Sequence, residues 1–568
     1  SRYAAAEPGH DSARFEALAG RIAAAVAEAA AARRPARLRR HTVAVPALAR
    51  NRSGVPWLAD PEARELLIAN AGLPGCPEQP SAAGVDPCHA VVPLLDALHV
   101  VEAHGERTIA VMGSFAMHPT GMPNATELYQ ADVFGLASAR AQAWLHRERR
   151  DEPGARTSGA APPATTPPVV ALFNGAQGDV STNWDPQGRV STVELGQALG
   201  EAVVAALDEP GREIHGEIEV AFAWRPVAGQ RFVDSAGEPQ RTARRARSGK
   251  GQLGGAEDGR TRLYDLGWRE GKRRARPRRN GQGHKRPALP WPLSGLAPPP
   301  GSTPKAVPLS VVRLGDLPLV TVPAEATTVL GMRIGEQVAD ALPGHPEVLR
   351  VGLAGGYLSY LTTPQEYALQ HYEGASMLYG EQAGTLVAMH LARLARSGVV
   401  ERPSTYRYRV GPRHRWSMDR ERRRSLAGLE DRLAWQLETG PLPGLPRFHV
   451  WDDAPRWPSD DPRSATTPRA RVEGYTEAEG WQTLAPGGLP IDDLTGALAM
   501  LLTHVDGQRW RWATWWLDPG APLHQPLRFH IESIGEGPIC SESFTLGQWY
   551  RPTGPGWLEP APCSSRPQ

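Results

Sequence analysis

The chain has 568 residues and a formal net charge of only +2. That length exceeds what a single hydrophobic core sustains, so two or more domains are expected, and the near-neutral balance excludes a protein that is basic throughout. The positive charge is concentrated in residues 241–286, where 16 Lys and Arg stand against 4 Asp and Glu.

Taken in order, Phe15, Leu18, Ile22 and Val26 recur at spacings of three and four. This predicts an amphipathic helix over 11–32, with Asp11 or Ser12 as its cap and Pro35 beyond its end. Apolar runs at 91–101 and 108–117, joined around His104 and Gly105, predict a strand hairpin. A helix over about 132–147 follows, then a Pro/Ala-rich loop, then a buried strand at 168–173.

The basic stretch 241–286 is rich in Gly and Arg and has no apolar periodicity, so it reads as a solvated, mobile insertion. Clustered arginines also attract nucleic acid or an anionic membrane, but no binding-fold signature accompanies them, and no nucleic-acid partner is expected. Mixed helices and strands continue to about Ser397.

Beyond Arg402 the pattern changes to short strand-like runs separated by Pro, Gly and Asp turns, with Trp451, Trp457, Trp481, Trp510, Trp512, Trp515, Trp516 and Trp549 among them. A β-sandwich is expected there. Trp512, Trp515 and Trp516 read as core or interface packing, with a sugar- or lipid-facing surface as the alternative.

Cys76 with Cys88 and Cys540 with Cys563 form two sequence-local couples. Two disulfides, which suit an exported protein, and four free thiols both satisfy that spacing. No uncharged apolar run reaches about 18 residues, so no transmembrane helix is expected. No signal peptide is visible either; the chain opens on Ser1 and not Met, which leaves room for an upstream segment.

Four constellations carry chemistry. His118, in Phe115-Ala116-Met117-His118-Pro119, ends an apolar strand, where a rigid backbone fixes an imidazole beside an open loop; a satisfied structural histidine is the alternative. Ser181, in Gly178-Asp179-Val180-Ser181-Thr182-Asn183, follows a glycine that allows close approach of backbone to a ligand; an ordinary Asx or Ser turn reads the same. Glu325 lies where an apolar strand meets a helix expected over 327–342, a place for a metal ligand or for a helix-capping carboxylate. The fourth is the run from Gly355 to Gly380, which holds Tyr357, Tyr360, Tyr367, Tyr372 and Tyr379 together with Thr362-Thr363 and Glu373-Gly374-Ala375-Ser376. Tyrosine hydroxyls donate to a developing oxyanion or, once deprotonated, bind a metal.

In this order, together with Asn51-Arg52-Ser53, these motifs resemble those of the neutral, non-lysosomal ceramidases over essentially the whole chain. The resemblance implies hydrolysis of the ceramide amide to sphingosine and a fatty acid, with one zinc ion held by two histidines, a glutamate and a tyrosine. It implies His118, Glu325 and Tyr360 as zinc ligands, Ser181 as the counterpart of the family's serine nucleophile, and Arg52 and Tyr372 as pocket residues. Attack by that serine and attack by a zinc-bound water both remain open at this point.

The family's His-Thr-His-x-Gly-Pro motif, which supplies the first zinc ligand, would fall immediately before Ser1, so the chain as given is expected to offer three ligands of four. Further departures are Ala324 where the family has Gly, Gly356 where it often has Asn, and Thr182 where Pro is usual. The expected architecture is an α/β catalytic domain of mixed sheets with helices over 1–403, then an immunoglobulin-like β-sandwich over 404–568. The expected substrate is ceramide or a related N-acyl lipid, met at a membrane or lipid aggregate by a secreted or extracytoplasmic protein. A ceramidase-like protein that has lost catalysis and keeps only lipid or surface binding is the rival reading. A zinc phosphoesterase fits less well, because such sites gather several Asp and His ligands around two metals.

Overall fold

Val307, Leu309 and Val311 alternate with less buried neighbours along strand Ala306–Leu314, the period-two pattern of a strand with one face on a core. This strand pairs antiparallel with Ile218–Pro226 on one side and Leu317–Thr321 on the other. Leu317–Thr321 in turn pairs parallel with Leu349–Val351. A parallel neighbour requires a crossover, and helix Thr328–Ala339 supplies it. Leu330, Ile334 and Val338 recur every fourth residue along that helix and join Val387, Leu391 and Leu394 of helix Ala383–Ser397 in the same core.

The structure, a computed structural model, describes residues 12–74, 84–123, 132–151, 168–289, 293, 298, 303–401, 445–453, 469–486, 490–493, 497–506, 509–516, 519–532, 537–550 and 556–567. Asp11, Cys76, Trp457 and the expected 403/404 boundary lie outside these residues. The chain divides into two compact units. One comprises Ser1–Gly9, Ala36–Asn124 and Val170–Gly411; the other comprises His10–Pro35, Ala125–Val169 and Pro412–Gln568.

The first unit also holds a five-stranded sheet in the order Val169–Asn174, Thr108–Phe115, Leu94–Glu102, Ala36–Ala44, Arg212–Ile214. The expected hairpin is its centre, with Asp96 opposite Ser114 and a register shift near Val100. The expected helix at 11–32 forms as Ser12–Ala31, but Leu18, Ile22 and Val26 on its apolar face are exposed. No helix among the described residues is long and apolar enough to cross a membrane.

The basic stretch 241–286 is not a solvated, mobile insertion. It folds into helix Lys250–Gly254, a turn at Glu257–Gly259, helix Arg262–Asp265 and a hairpin of Arg273–Arg278 with Gly283–Lys285. Its backbone is tied to residues 370–379 by Ala243 N–H to Tyr379 O (2.8 Å), Gly249 N–H to Ala375 O (2.7 Å) and Gly271 N–H to Gln370 O (3.1 Å). Gly249 permits this approach, since a Cβ there would lie 2.8 Å from that of Ala375. Lys285 is buried, and its ammonium donates to the carbonyls of Arg247 and Met377. The arginines of strand Arg273–Arg278 lie mostly on its exposed side, so counting charge recorded only the outer face of a packed segment.

In the second unit, one antiparallel sheet has the order Arg447–Asp453, Arg509–Trp516, Leu498–Asp506, and another the order Gly480–Thr483, Ala470–Thr476, Leu527–Ile531, Ile539–Ser541, Pro560–Ala561. Phe448, Trp512 and Trp516 from the first meet Val472, Phe529 and Ile531 from the second in one core. Trp512, Trp515 and Trp516 are 8%, 0% and 0% exposed, so they pack the interior and do not form a binding surface. Cys540 and Cys563 are joined by a disulfide. Cys88 is disulfide-bonded as well, which excludes four free thiols.

Candidate metal and catalytic site

Four very short strands bring the site together. Val180–Thr182 pairs antiparallel with Ala49–Asn51, placing Ser181 opposite Arg50, and on its other side His118 forms an isolated parallel bridge with Ser181. The His118 N–H donates to Val180 O at 2.9 Å, while its Nδ1 lies 2.8 Å from the same carbonyl. With that nitrogen occupied, the ring is fixed and Nε2 faces the interior. Glu325–Ala326 pairs in parallel with Tyr360–Leu361, and Glu325 is the register partner of Tyr360.

Gly178 joins these pieces, donating its N–H to Ala326 O at 2.7 Å; a Cβ there would come within 2.8 Å of the Ala326 backbone. The glycine therefore serves contact with the Glu325 strand and not with a ligand. Asp179 extends the brace, accepting from Asn51 (2.8 Å) and from both the N–H (2.7 Å) and hydroxyl (2.8 Å) of Thr328 at the start of a helix.

His118 Nε2 lies 2.5 Å from Glu325 Oε2 and 3.3 Å from the Tyr360 hydroxyl. Tyr357 donates to the other Glu325 oxygen at 2.5 Å. Burial raises the Glu325 carboxyl, but hydrogen bonds from His118, Tyr357 and Tyr360 outweigh it and hold it at about 2. Burial pushes the Tyr360 hydroxyl well above its ordinary value and that of Tyr372 up to about 12. The Tyr372 ring stands edge-on to Tyr360 at 5.2 Å.

Arg52 lies behind these groups with its side chain 3% exposed. Its Nε donates to Glu373 (3.0 Å), one terminal nitrogen to Asp258 (2.8 Å), and the other to Gly178 O (2.8 Å) and the Tyr360 oxygen (3.2 Å). Ser181, fully buried, donates to Asp258 at 3.0 Å.

The structure thus brings His118, Glu325, Tyr360, Ser181, Arg52 and Tyr372 into one network. Of the five tyrosines, Tyr367 and Tyr379 belong to the core and bond the carbonyls of Gln282 and Pro304; the other three surround Glu325 and Arg52. Sequence reasoning missed Asp258 altogether, and it singled out the run that holds Tyr357 and Glu373 without giving either a role. A signal for Asp258 existed: Glu257-Asp258 is an acidic pair between glycines in a segment otherwise dominated by arginine.

The three donor atoms, an imidazole nitrogen, a carboxylate oxygen and a phenol oxygen, converge and are of the kinds that hold a metal ion. In their chemistry and convergence these residues fit three positions of a metal site.

A family model described as neutral/alkaline non-lysosomal ceramidase, N-terminal, matches residues 1–191 and 185–388. The neutral ceramidase of Mycobacterium tuberculosis is 31% identical over 333 residues, covering 54% of this chain and 50% of that protein. That of Pseudomonas aeruginosa is 28% identical over 317 residues, covering 51% of this chain and 43% of that protein. The alignments thus reach half or less of the length of these curated relatives. Among solved structures, a ceramidase complexed with C2 superposes with a TM-score of 0.65 at 19% identity, covering 91% of this chain and 79% of that one. Neutral ceramidase from Pseudomonas aeruginosa superposes at 0.63 with 20% identity, covering 92% and 79%. At such identity the likeness is one of fold, mixed sheets with helices. The family match runs through every strand and loop that builds the site, and on that match the chain belongs to the neutral/alkaline non-lysosomal ceramidases.

Proposed function

We propose that this chain is a zinc-dependent amidase that hydrolyses the amide of ceramide, N-acylsphingosine, to sphingosine and a free fatty acid. The observation that carries the reading is the convergence of His118 Nε2, Glu325 Oε2 and the Tyr360 hydroxyl beside Ser181. Zinc, when bound there, supplies Lewis-acid polarisation of the scissile carbonyl. Ser181 would supply the attacking oxygen: its bond to the carbonyl carbon forms as the hydroxyl proton passes to the departing amine nitrogen and the C–N bond breaks, and water then releases the fatty acid from the serine. Tyr372, kept protonated by burial, donates to the charge that develops on the amide oxygen. Arg52 holds the Tyr360 oxygen by its hydrogen bond at 3.2 Å.

We also infer an extracytoplasmic protein that meets its lipid at a membrane or aggregate surface, a reading supported by the Cys540–Cys563 disulfide. The two sheets of the second unit are read as an immunoglobulin-like sandwich.

The test is release of fatty acid, measured by mass spectrometry, when the intact gene product loaded with zinc is given ceramides and other N-acyl amides. Ceramide turnover is expected, and His118→Ala is expected to abolish both turnover and bound zinc. Turnover of other N-acyl amides alone corrects the substrate. No release at all, or full activity in His118→Ala, overturns the proposal.

A further inference from the structure

We propose that Asp258, carried into the site by the arginine-rich segment, is a positioning residue that orients the Ser181 hydroxyl and Arg52 for the reaction. The inference rests on the amidase reading above and deepens it.

One oxygen of Asp258, Oδ2, accepts from the Ser181 hydroxyl at 3.0 Å, the Thr120 hydroxyl at 3.0 Å and Arg52 at 2.8 Å. The carboxylate side chain is 7% exposed, so these bonds form largely out of competition with water. Each donor comes from a different part of the site. Thr120 follows His118 by two residues, Ser181 is the bridge partner of His118, and Arg52 bonds the Tyr360 oxygen. A single acceptor atom therefore links the serine to the segments that carry His118 and Tyr360.

The consequence for Ser181 is directional. A serine hydroxyl has one proton and two lone pairs. With the proton committed to Asp258, the lone pairs are directed away from the carboxylate, and the rotor has one preferred setting instead of three. Asp258 stays ionised: burial opposes the charge, and the opposing effects of Arg52 and the surrounding donors outweigh it. Removing the charge releases the serine rotor and one of the arginine's four anchors together.

The carboxylate is itself held in place. The turn at Glu257–Gly259 is closed by the Gly259 N–H to Ala256 O bond at 3.1 Å. Glu257 pairs with Arg50 at 3.0 Å, and Arg50 is the strand neighbour of Ser181. The turn also covers Ser181, which has no exposed surface.

The test uses Asp258→Asn, which keeps size and one acceptor and removes the charge, alone and combined with Ser181→Ala in the full-length zinc-loaded protein. The expected result is a fall in kcat of about 100-fold, the scale of a displaced reacting group, with KM changed by less than about threefold. In the Ser181→Ala background the same substitution is expected to have no further effect, because residues acting through one another are not additive. A fluorophosphonate probe, which forms a bond to the serine oxygen as fluoride leaves, is expected to label Ser181 at least tenfold more slowly in Asp258→Asn.

Additive losses in the double variant overturn the proposal, as does a rise in kcat, the signature of a carboxylate that merely blocks the site. Full activity of Ser181→Ala overturns it too. If the wild-type protein turns over no ceramide, the amidase reading fails by itself, and the probe decides: equal labelling of both forms, or labelling of neither, overturns the positioning role. Should Asp258→Asn fail to fold, Thr120→Val removes one of the three donors to Oδ2, and an unchanged labelling rate there overturns the shared-acceptor arrangement.

Discussion

Each unit of the molecule buries a cluster of charged side chains, and the two clusters are built in opposite ways. In the first unit Arg52 is the hub, and its partners Gly178, Asp258, Tyr360 and Glu373 come from separate segments as far as 321 residues away. In the second Glu473 is the hub, bonded to Arg471 (3.0 Å), Arg528 (2.8 Å) and His530 (3.1 Å). All four lie on two adjacent strands, where Glu473 faces Arg528 and Arg471 faces His530 across the ladder. Cross-strand pairing alone produces the second cluster. His530 also lies within ligand distance of Cys540 and Cys563, but those sulfurs are bonded to each other and cannot act as thiolates. Buried charge is therefore not by itself the mark of a site. The first cluster differs because segments without a common register deliver it, and because it ends on the hydroxyls of Ser181 and Tyr360.

The largest expected effect comes from breaking the first cluster. Glu373→Ala leaves Arg52 without its Nε partner and the Ser53 hydroxyl without the carboxylate it donates to at 2.6 Å. Removing one partner of a buried ion pair costs about 3–5 kcal/mol. Urea unfolding of Glu373→Ala is expected to show that loss, and Glu373→Gln, which keeps an acceptor, a smaller one. A loss below about 1 kcal/mol in the alanine variant would show that the Arg52 cluster is no more demanding than a surface pair.

This contrast also explains what could be read from the chain. His118 and Glu325 were legible because each ends an apolar run, and the helix after Glu325 because its residues recur every fourth position. The 94–115 hairpin was legible for the same reason. Pairing of Glu325 with Tyr360 was not, since a two-residue parallel ladder has no period to detect. The segment 241–286 was misread because its buried positions are Gly, Ala, Thr, Ser, Gln and one lysine satisfied by carbonyls. Such residues carry no hydrophobic signal, and Asp258 went unnoticed with them. The motifs located the ligand candidates; the contacts that hold them are long-range and polar.

A second, smaller effect isolates the register-built cluster. The strand Leu527–Ile531 that carries Arg528 and His530 pairs with Ile539–Ser541, and His530 faces Cys540 directly. The Cys540–Cys563 bond closes a loop with a sequence separation of 23, for which chain entropy predicts a contribution of about 3 kcal/mol. Cys563→Ser is expected to lower the unfolding free energy by that order and to speed amide exchange along 527–531. Exchange along 180–182 should remain unchanged, and a rise there would dissolve the distinction between the two clusters.

The smallest effect, and the one that separates the clusters by sign, is their response to pH. Burial raises the Glu473 carboxyl, yet hydrogen bonds from His530 and Arg528 hold it at about 2, below the ordinary 4.5. A depressed acid stabilises the fold above its unfolded value, and that stability is lost as the pH falls from about 4.5 towards 2. Glu270, on the segment that packs beside Tyr372, behaves oppositely. Burial first, and then the charge of Glu373, push it up to about 7 from 4.5. Its folded form keeps a proton that its unfolded form gives up, so stability declines as the pH rises from about 4.5 to 7. Urea midpoints measured across this range in Glu473→Gln should lose the acid-side decline, and in Glu270→Gln the neutral-side one. If both substitutions flatten the same limb, the two carboxylates do not carry opposite loads, because a group raised by burial and one lowered by its partners cannot share a slope.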